Sequence, residues 1–346
     1  MADLTKIEWC DATLNLWWGC TKVSDGCKFC YAEALADGRY QKGNWGPKGV
    51  RKEVKSWRST LKKISDRAKA ENRRLRVFCQ SMSDTFEGPE TMGGEKSQNW
   101  ATVRGLQTEL LRATQLHPEL DFLLLTKRPE NVLRAVAEHN EAADLMNVPP
   151  FEWPANVWLG TSVEDQATAD QRIPELLKVP AAVRFLSCEP LLGPVDLTWI
   201  AEPDDDRDGV IDALKGENWI DGFGYGEELP RWRYEDGSKC HRRYVDDRPD
   251  LGKIDWVIAG GESGLNARPL RPNWALDLRD QCLARSVPFF FKQWGEFLPD
   301  TQNPEVTSFL EQPLRRDYFG GIRVGKIKAG RLLDGRTWDE CPEVEL

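Results

Sequence analysis

The chain has 346 residues, of which 40% are hydrophobic, and its formal net charge is −9. No apolar run approaches the roughly 18 residues that a membrane-spanning helix needs, and no apolar leader opens the sequence, so we expect a cytoplasmic protein without a membrane partner. In that compartment the nine cysteines are expected to be reduced, and clustered ones more often bind metal than form disulfides.

Seven short runs rich in leucine, aromatic and β-branched residues predict strands, with polar or glycine-rich connections after them. Amphipathic helical patterns lie between these runs. Because repeated strand–helix alternation indicates a parallel sheet, we predict an α/β fold, a complete or partial (β/α) TIM-like barrel, with an open doubly wound sheet as the alternative. The predicted strands are Leu14–Trp18, Leu75–Gln80, Phe122–Thr126, Val157–Thr161, Val183–Ser187, Trp256–Ala259 and Val287–Phe291.

Four segments predict helices between these strands, at residues 53–70, 100–113, 128–139 and 273–286. In the first, Val54, Trp57, Leu61, Ile64 and Ala68 recur at helical spacing and predict one buried stripe. In the last, Asn273 is the predicted N-cap.

Two regions depart from this alternation. Residues 202–250 carry fifteen acidic against eight basic side chains and predict an acidic insertion on one barrel rim. We therefore assign residues 1–297 to a barrel-like domain that contains this insertion, and 298–346 to a C-terminal extension. Within the extension, LLDGRTW predicts a hairpin turned at Asp334-Gly335.

Three cysteines, Cys20, Cys27 and Cys30, fall within eleven residues after the first predicted strand. A structural zinc site usually needs four ligands, and no fourth is evident, since none of the three histidines has ligand spacing to another. Three thiolates suit a [4Fe–4S] cluster with one iron left open. The alternatives are a small structural metal site or buried thiols that stiffen a loop.

An aromatic residue, Phe29, directly precedes Cys30. This arrangement resembles radical S-adenosylmethionine (radical SAM) enzymes, in which three cysteines hold the cluster and S-adenosylmethionine chelates the fourth iron. Six residues separate Cys20 from Cys27, where that superfamily commonly has three. The resemblance implies a barrel of radical SAM type, reductive cleavage of S-adenosylmethionine to a 5′-deoxyadenosyl radical, and an electron donor of the flavodoxin or ferredoxin type.

Eight segments in order extend the resemblance over nearly the whole chain. Together they are similar to a phage and bacterial family of unknown function that is labelled by its three-Cys motif and resembles radical SAM proteins. The segments are TKIEWCDATLNLWWGCTKVSDGCKFCYAE, SMSDTF, LLLTKRPEN, LGTSVEDQ, LSCEPLLGPVDL, VIAGGESG with NARP, FFKQWGEF and GRLLDGRTWDE.

Polar residues follow most of the predicted strands, and a barrel would bring them to the mouth where barrel enzymes place their chemistry. We expect them to bind S-adenosylmethionine, offering acceptors for its amino group and ribose, a cation for its carboxylate and a close backbone approach for its adenine. These residues are Ser83, Asp84, Thr126, Lys127, Ser162, Glu164, Ser187, Glu189, Gly260, Gly261 and Glu262.

A second set of cationic, amide and aromatic residues follows the last two strands and suits a base or another planar substrate, with a packed rim as an equal alternative. It comprises Arg268, Arg271, Lys292, Gln293 and Trp294. The sequence offers no Gly-x-Ser-x-Gly elbow and no His-Glu-x-x-His motif, so catalytic side chains stay unassigned.

Residues 39–76 carry fourteen Lys or Arg against three acids and are interleaved with aromatic residues. This pattern predicts either a nucleic-acid footprint or the solvated face of an amphipathic helix. The candidate nucleic-acid contacts are Arg51, Lys52, Lys55, Arg58, Lys62 and Lys63. The leading hypothesis is a radical SAM enzyme that modifies or repairs nucleic acid or a nucleotide. The alternative is a nucleic-acid-binding protein, or an accessory protein with a protein partner, whose iron–sulfur or zinc site is purely structural.

Overall fold

A seven-stranded parallel sheet forms the centre of the protein in the computed structural model, which describes residues 5, 7–201, 209–221, 232–233, 239–240, 242–244, 252–299 and 321–343. Neighbouring strands follow chain order, so β1 and β7 are the two edges of a curled half-barrel. This agrees with the expected α/β fold and with a partial rather than a closed barrel. The strands are β1 (Ala12–Leu14), β2 (Leu75–Cys79), β3 (Leu120–Thr126), β4 (Val157–Ser162), β5 (Val183–Cys188), β6 (Trp256–Gly260) and β7 (Phe289–Gln293).

The predicted bounds of the first strand are wrong. The apolar run Leu14–Trp18 predicted a single strand, but β1 ends at Leu14 and Trp17–Trp18 pairs antiparallel with Lys52–Glu53. The backbone leaves the sheet at Leu16, whose N–H donates to the side-chain oxygen of Gln80 at 2.6 Å instead of to a neighbouring strand. The backbone between β1 and Cys20 therefore forms a separate two-stranded ribbon with Lys52–Glu53, outside the parallel sheet.

Within the described ranges, five helices of twelve or more residues connect the strands. They are α1 (Trp57–Glu71), α2 (Gln98–Leu116), α3 (Val132–Leu145), α4 (Gln166–Leu177) and α5 (Pro272–Ala284). Four of the five residues of the predicted α1 stripe, Trp57, Leu61, Ile64 and Ala68, are buried in the main core cluster. Val54 is half-buried and lies before the helix, which begins at Trp57 rather than at residue 53. The predicted cap of α5 is wrong: Arg271 is the N-cap, because Pro272 lacks an N–H and occupies the first helical turn.

A second buried cluster, mostly aromatic, fills the lower part of the inner face of the sheet. Trp9 packs against Phe78 at 4.7 Å and against Phe185 and Trp256 at 6.3 Å between ring centroids. Trp158 on β4 and Phe290 on β7 complete this cluster. Each of β2, β4, β5, β6 and β7 contributes one large ring to this cluster, and the open space on this face lies toward the carboxyl ends of the strands.

The described part of the predicted acidic insertion belongs to a four-stranded antiparallel sheet of Ile200–Ala201, Gly209–Asp212, Glu217–Asp221 and Arg242–Tyr244. A two-stranded ribbon joins Trp232–Arg233 to Lys239–Cys240. Residues 202–208, 222–231, 234–238, 241 and 245–250 of the predicted insertion lie outside the described residues. Asp212 pairs with Arg285 just past α5 at 3.0 Å, which ties this sheet to the helical layer.

The described part of the C-terminal extension packs back on the sheet. Phe297–Pro299 pairs with Gly321–Arg323, and a short helix covers Lys326–Ala329. The predicted hairpin is confirmed: Leu333 and Arg336 pair antiparallel across a two-residue turn in which Asp334 and Gly335 both have positive φ. Across the described ranges, no helix combines the length and the apolarity needed to cross a membrane.

Candidate functional site

A cavity of about 440 Å³ lies at the carboxyl ends of the strands. Its floor is apolar, formed by Ile7, Trp9, Phe78 and Leu125 above the aromatic cluster. Its walls come from the segment of the three cysteines and from the residues that follow the strands. The sequence-predicted residues that line it are Cys20, Cys27, Cys30, Ser83, Asp84, Thr126, Lys127, Ser162, Ser187, Glu189, Gly261, Glu262, Lys292 and Gln293.

The three cysteines enter the cavity from irregular and short helical backbone. Cys20 follows the Trp17–Trp18 ribbon, Cys27 ends the 3₁₀ turn Asp25–Cys27, and Cys30 caps the helical segment that begins at Tyr31. Burial raises the pKa of the Cys20 and Cys30 thiols, and nearby Glu87 and Asp84 raise that of Cys20 further. The Cys20 and Cys30 thiols are therefore neutral near pH 7, and a metal that binds them must displace their protons.

Asp84 was expected to accept the amino group of S-adenosylmethionine, but its carboxylate already has four donors. One oxygen accepts from the Phe86 N–H at 3.0 Å and from the Thr126 hydroxyl at 2.5 Å. The other accepts from the Lys127 N–H at 3.0 Å and from Arg128 at 2.8 Å. Because four donors fill the acceptor capacity of a carboxylate, Asp84 fixes the start of the β3 loop rather than offering a free acceptor.

Glu164 has a similar role on the other side of the cavity. It is buried behind the wall, accepts from Ser24 and Arg172 at 2.9 Å each, and also pairs with Lys127. Lys127 and Arg172 hold the pKa of this carboxyl below its usual value against the opposing effect of burial. A β-carbon on Gly26 would meet Glu164 at 2.4 Å, so only glycine lets this loop approach so closely. Glu164 thus anchors the Cys27 turn.

A third acidic group ties β6 to the cysteine segment. Glu262 accepts from Arg268 at 2.8 Å and 2.7 Å, and Arg268 also donates to the Asp25 carbonyl at 3.0 Å. The Arg268 guanidinium lies 5.2 Å from the Phe29 ring centroid. These two residues, predicted for cofactor and substrate respectively, are paired with each other and close over the residues between Cys27 and Cys30.

Glu189 and Lys292 form an ion pair that faces the cavity. Lys292 Nζ lies 2.9 Å from Glu189 Oε1, and the side chains are 19% and 13% exposed. Burial disfavours the ammonium, but the Glu189 carboxylate outweighs it and raises the pKa of Lys292. Only the Ser187 hydroxyl, at 3.5 Å, approaches the second carboxylate oxygen among the described contacts. Of the cavity carboxylates, Glu189 therefore keeps the most acceptor capacity.

Of the other predicted substrate residues, Gln293 lines the cavity, whereas Arg268, Arg271 and Trp294 do not. Trp294 is 1% exposed and its indole N–H donates to the Leu332 carbonyl at 2.8 Å, so the prediction that it grips a base is corrected. The Gln293 amide donates to the Gly261 carbonyl at 2.8 Å. Arg271 stacks on Trp274 at 5.0 Å, away from the cavity. Gly261 is needed for packing, since a β-carbon there would meet the Trp294 carbonyl oxygen at 2.0 Å.

The predicted nucleic-acid set divides by burial. Arg51 is buried and paired with Glu87, which removes it from the candidate surface contacts. Lys52, Lys55, Arg58, Lys62 and Lys63 are exposed on the Lys52–Glu53 strand and around α1. Two of them have acidic partners, Lys62 with Asp66 at 2.7 Å and Arg58 with Glu53 and Glu109 at 3.5 Å each.

Sequence reasoning missed the buried residues that support the cysteines. Arg51, Glu87 and Arg128 contact the backbone or side chain of Thr21, next to Cys20. Glu87 carried no motif signal, since it lies 36 residues from Arg51 and only the fold brings the two together. Arg128 directly follows Thr126 and Lys127, which the sequence did predict for the site, so its position after a strand was the one available signal.

The three cysteines on the cavity wall are soft sulfur donors. Within the described part of the chain, no three His, Cys, Asp or Glu side chains converge closely enough to hold one metal ion. A four-iron cluster takes thiolates at separate corners, and the three thiols on this wall are donors of that type. The soft sulfur donors also argue against magnesium or calcium.

The chain is an α/β half-barrel with a cavity at the carboxyl ends of its strands. Three cysteines lie on the wall of that cavity. The model of the family described as Protein of unknown function (DUF5131) matches residues 4–342. The chain therefore belongs to that family, and the expectation of a family of unknown function is confirmed. The match does not link it to radical SAM enzymes. No curated protein and no solved structure matched the chain.

Proposed function

We propose that this protein is a radical SAM enzyme that binds a [4Fe–4S] cluster through Cys20, Cys27 and Cys30 and acts on nucleic acid or a nucleotide, in modification or repair. The observation that carries the proposal is that all three thiols line one cavity at the carboxyl ends of a curled parallel sheet. That end of a barrel is where such folds place their chemistry. Three thiols leave a fourth coordination position open, as catalytic metal sites do.

When bound, the cluster would supply the electron that cleaves S-adenosylmethionine to a 5′-deoxyadenosyl radical, which abstracts a substrate hydrogen. The chain's own residues bind, orient and shield. The apolar floor of Trp9, Phe78 and Leu125 keeps water from the lower cavity. The half-buried Cys20 and Cys30 stand on the wall above that floor.

The remaining polar groups suggest which residues orient S-adenosylmethionine. Asp84 accepts from four protein donors, and Glu164 and Glu262 accept from three each. The Glu189–Lys292 pair is left as a matched acceptor and cation for the amino and carboxylate groups of an amino acid moiety. On binding, Glu189 would pair with the amino group of the ligand and Lys292 with its carboxylate, in place of their pair with each other. The net charge of the cavity would stay the same, because the amino acid moiety carries one charge of each sign. Glu189 is therefore our leading candidate for cofactor recognition.

The proposal is tested by anaerobic purification. We expect a brown protein with about four iron and four sulfide per chain, which on reduction by dithionite converts S-adenosylmethionine to 5′-deoxyadenosine. Replacing Cys20, Cys27 and Cys30 together by Ala should abolish iron binding. Cys79→Ala and Cys188→Ala are matched controls, because both thiols are fully buried in the sheet.

Two cavity variants sharpen the test. Glu189→Gln should weaken S-adenosylmethionine binding with iron content intact, whereas Asp84→Asn should lower iron retention by loosening its four donors. Stoichiometric zinc without iron would overturn the enzyme proposal and leave a structural metal site. Iron-loaded, reduced protein that neither binds S-adenosylmethionine nor forms 5′-deoxyadenosine would overturn it as well.

A further inference from the structure

Arg128 lies directly beneath the Cys20 segment, where β3 ends. Its Nη2 donates to the Thr21 carbonyl at 2.7 Å, and its Nη1 donates to Asp84 at 2.8 Å. The same Nη1 lies 3.9 Å from the Cys20 sulfur. The side chain is only 3% exposed. One guanidinium thus contacts the backbone next to Cys20, the thiol itself and the carboxylate that fixes the β3 loop.

Thr21 is held from a second side. Its N–H donates to Glu87 at 2.9 Å, and its hydroxyl accepts from Arg51 at 2.7 Å. Arg51 in turn donates to the carbonyls of Asn44, Gly46 and Gly49 at 2.8–3.2 Å. The N–H, the carbonyl and the hydroxyl of Thr21 therefore each bond to a charged side chain. These bonds restrict the movement of the residue that follows Cys20.

Four buried charges alternate in sign through this network, in the order Arg51, Glu87, Arg128 and Asp84. Glu87 lies 2.7 Å from Arg51 and 3.8 Å from Arg128. Buried ion pairs are costly to desolvate, and well-packed apolar side chains would often be as stable. Stability alone therefore does not explain the network. Apolar side chains would neither hydrogen-bond to Thr21 nor place a cation beside the Cys20 sulfur, whereas Arg128 does both.

We propose that Arg128 is a positioning residue for Cys20: it fixes the Cys20–Thr21 segment on the cavity wall and supplies positive charge to the group that Cys20 binds. The second half rests on the proposed function; the first does not. Hydrogen bonds and charge around cluster sulfurs set the reduction potential. Because the reduced cluster carries one more negative charge, a cation at this sulfur favours reduction.

The anchoring half is tested on metal-free protein by amide hydrogen exchange. In Arg128→Gln we expect exchange around Thr21 to accelerate about tenfold or more, the scale of losing one hydrogen bond to a charged group. Arg172→Gln is the matched control, because Arg172 is equally buried but holds Glu164 and the Ser162 carbonyl. It should accelerate exchange around Ser24 and leave Thr21 unchanged. Unchanged exchange at Thr21 in Arg128→Gln would overturn the anchoring role.

The charge half is tested on iron-loaded protein. At equal iron content, Arg128→Gln should have a more negative reduction potential than wild type, and Arg128→Lys should recover part of the shift. Arg279→Gln should match wild type, because Arg279 is also largely buried but pairs with Asp280 and Asp334 and does not line the cavity. An anchor without an electrostatic role would leave the potential of Arg128→Gln unchanged, which would overturn this half. If wild type takes up no iron, the enzyme proposal and the charge half both fail, while the exchange result still decides the anchoring role.

Discussion

The guanidinium of Arg51 donates two hydrogen bonds to the carboxylate of Glu87, from Nε at 2.8 Å and from Nη2 at 2.7 Å, and neither side chain is exposed to solvent. The sequence grouped Arg51 with the surface cations of residues 39–76, but its position is set by this pair and by three loop carbonyls. Removal of one member leaves the other charge buried without its partner, which is far costlier than the pair itself is stabilising.

We therefore expect Arg51→Met to lower the free energy of unfolding by about 3–5 kcal/mol. Lys62→Ala, on the exposed side of α1, should change it by less than about 0.5 kcal/mol, because its ion pair with Asp66 is solvated. Urea unfolding followed by tryptophan fluorescence measures both. A cost below about 1 kcal/mol for Arg51→Met would contradict a rigid, dry environment around Glu87.

Much of the fold was predictable because local periodicity carries it. The six strands after β1 were found within two residues at nearly every end, since their apolar runs are bounded by polar or glycine-rich connections. The Trp17–Trp18 ribbon was not, because its partner Lys52–Glu53 lies far along the chain and is itself polar. The Leu16 N–H bonds to the side chain of Gln80 instead of to a neighbouring strand. Hydrophobic periodicity cannot predict a hydrogen bond of this kind.

The location of the candidate site could be predicted from the sequence, but the role of each residue in it could not. Parallel strands bring the residues after them to one edge, and most of the predicted residues do line the cavity. Which carboxylates stay available depends on donors from other segments. Asp84 accepts from four donors, three of them at the end of β3 and just after it, and Glu164 accepts from Ser24 on the cysteine segment and from Arg172 on α4. Among these carboxylates Glu189 keeps the most acceptor capacity, and spacing alone does not distinguish it.

The exposed lysines of residues 52–63 give a direct test of the predicted nucleic-acid contact. If they bind phosphates, the triple variant Lys55→Ala, Lys62→Ala, Lys63→Ala should weaken binding to a DNA or RNA duplex and reduce the slope of log K against log salt by about 2–3. Fluorescence anisotropy across a salt series measures this. Lys178→Ala is the matched control, an exposed lysine paired with Glu175 on α4. An unchanged slope in the triple variant would assign these lysines to a solvated helix face.

A last expectation concerns His139 on α3, which is buried against Phe151 with 6.1 Å between ring centroids. Its Nδ1 is buried and has no hydrogen-bond partner. Burial, reinforced by the Arg112 charge, lowers the pKa of the imidazole. The folded protein therefore holds His139 neutral, while the unfolded chain takes up a proton near pH 6.5.

The sign of the pH effect follows from that difference. The contribution of His139 to stability is fully present above the unfolded pKa and is lost as the pH falls through it toward the lower folded pKa. Each unit of difference corresponds to about 1.4 kcal/mol. Wild type should therefore lose more unfolding free energy than His139→Phe between pH 7.5 and 5.5, as measured by urea titrations at each pH. The phenyl ring keeps the packing against Phe151 without a titrating group. Parallel pH profiles for the two proteins would show that His139 accepts its proton in the folded state as readily as in the unfolded one.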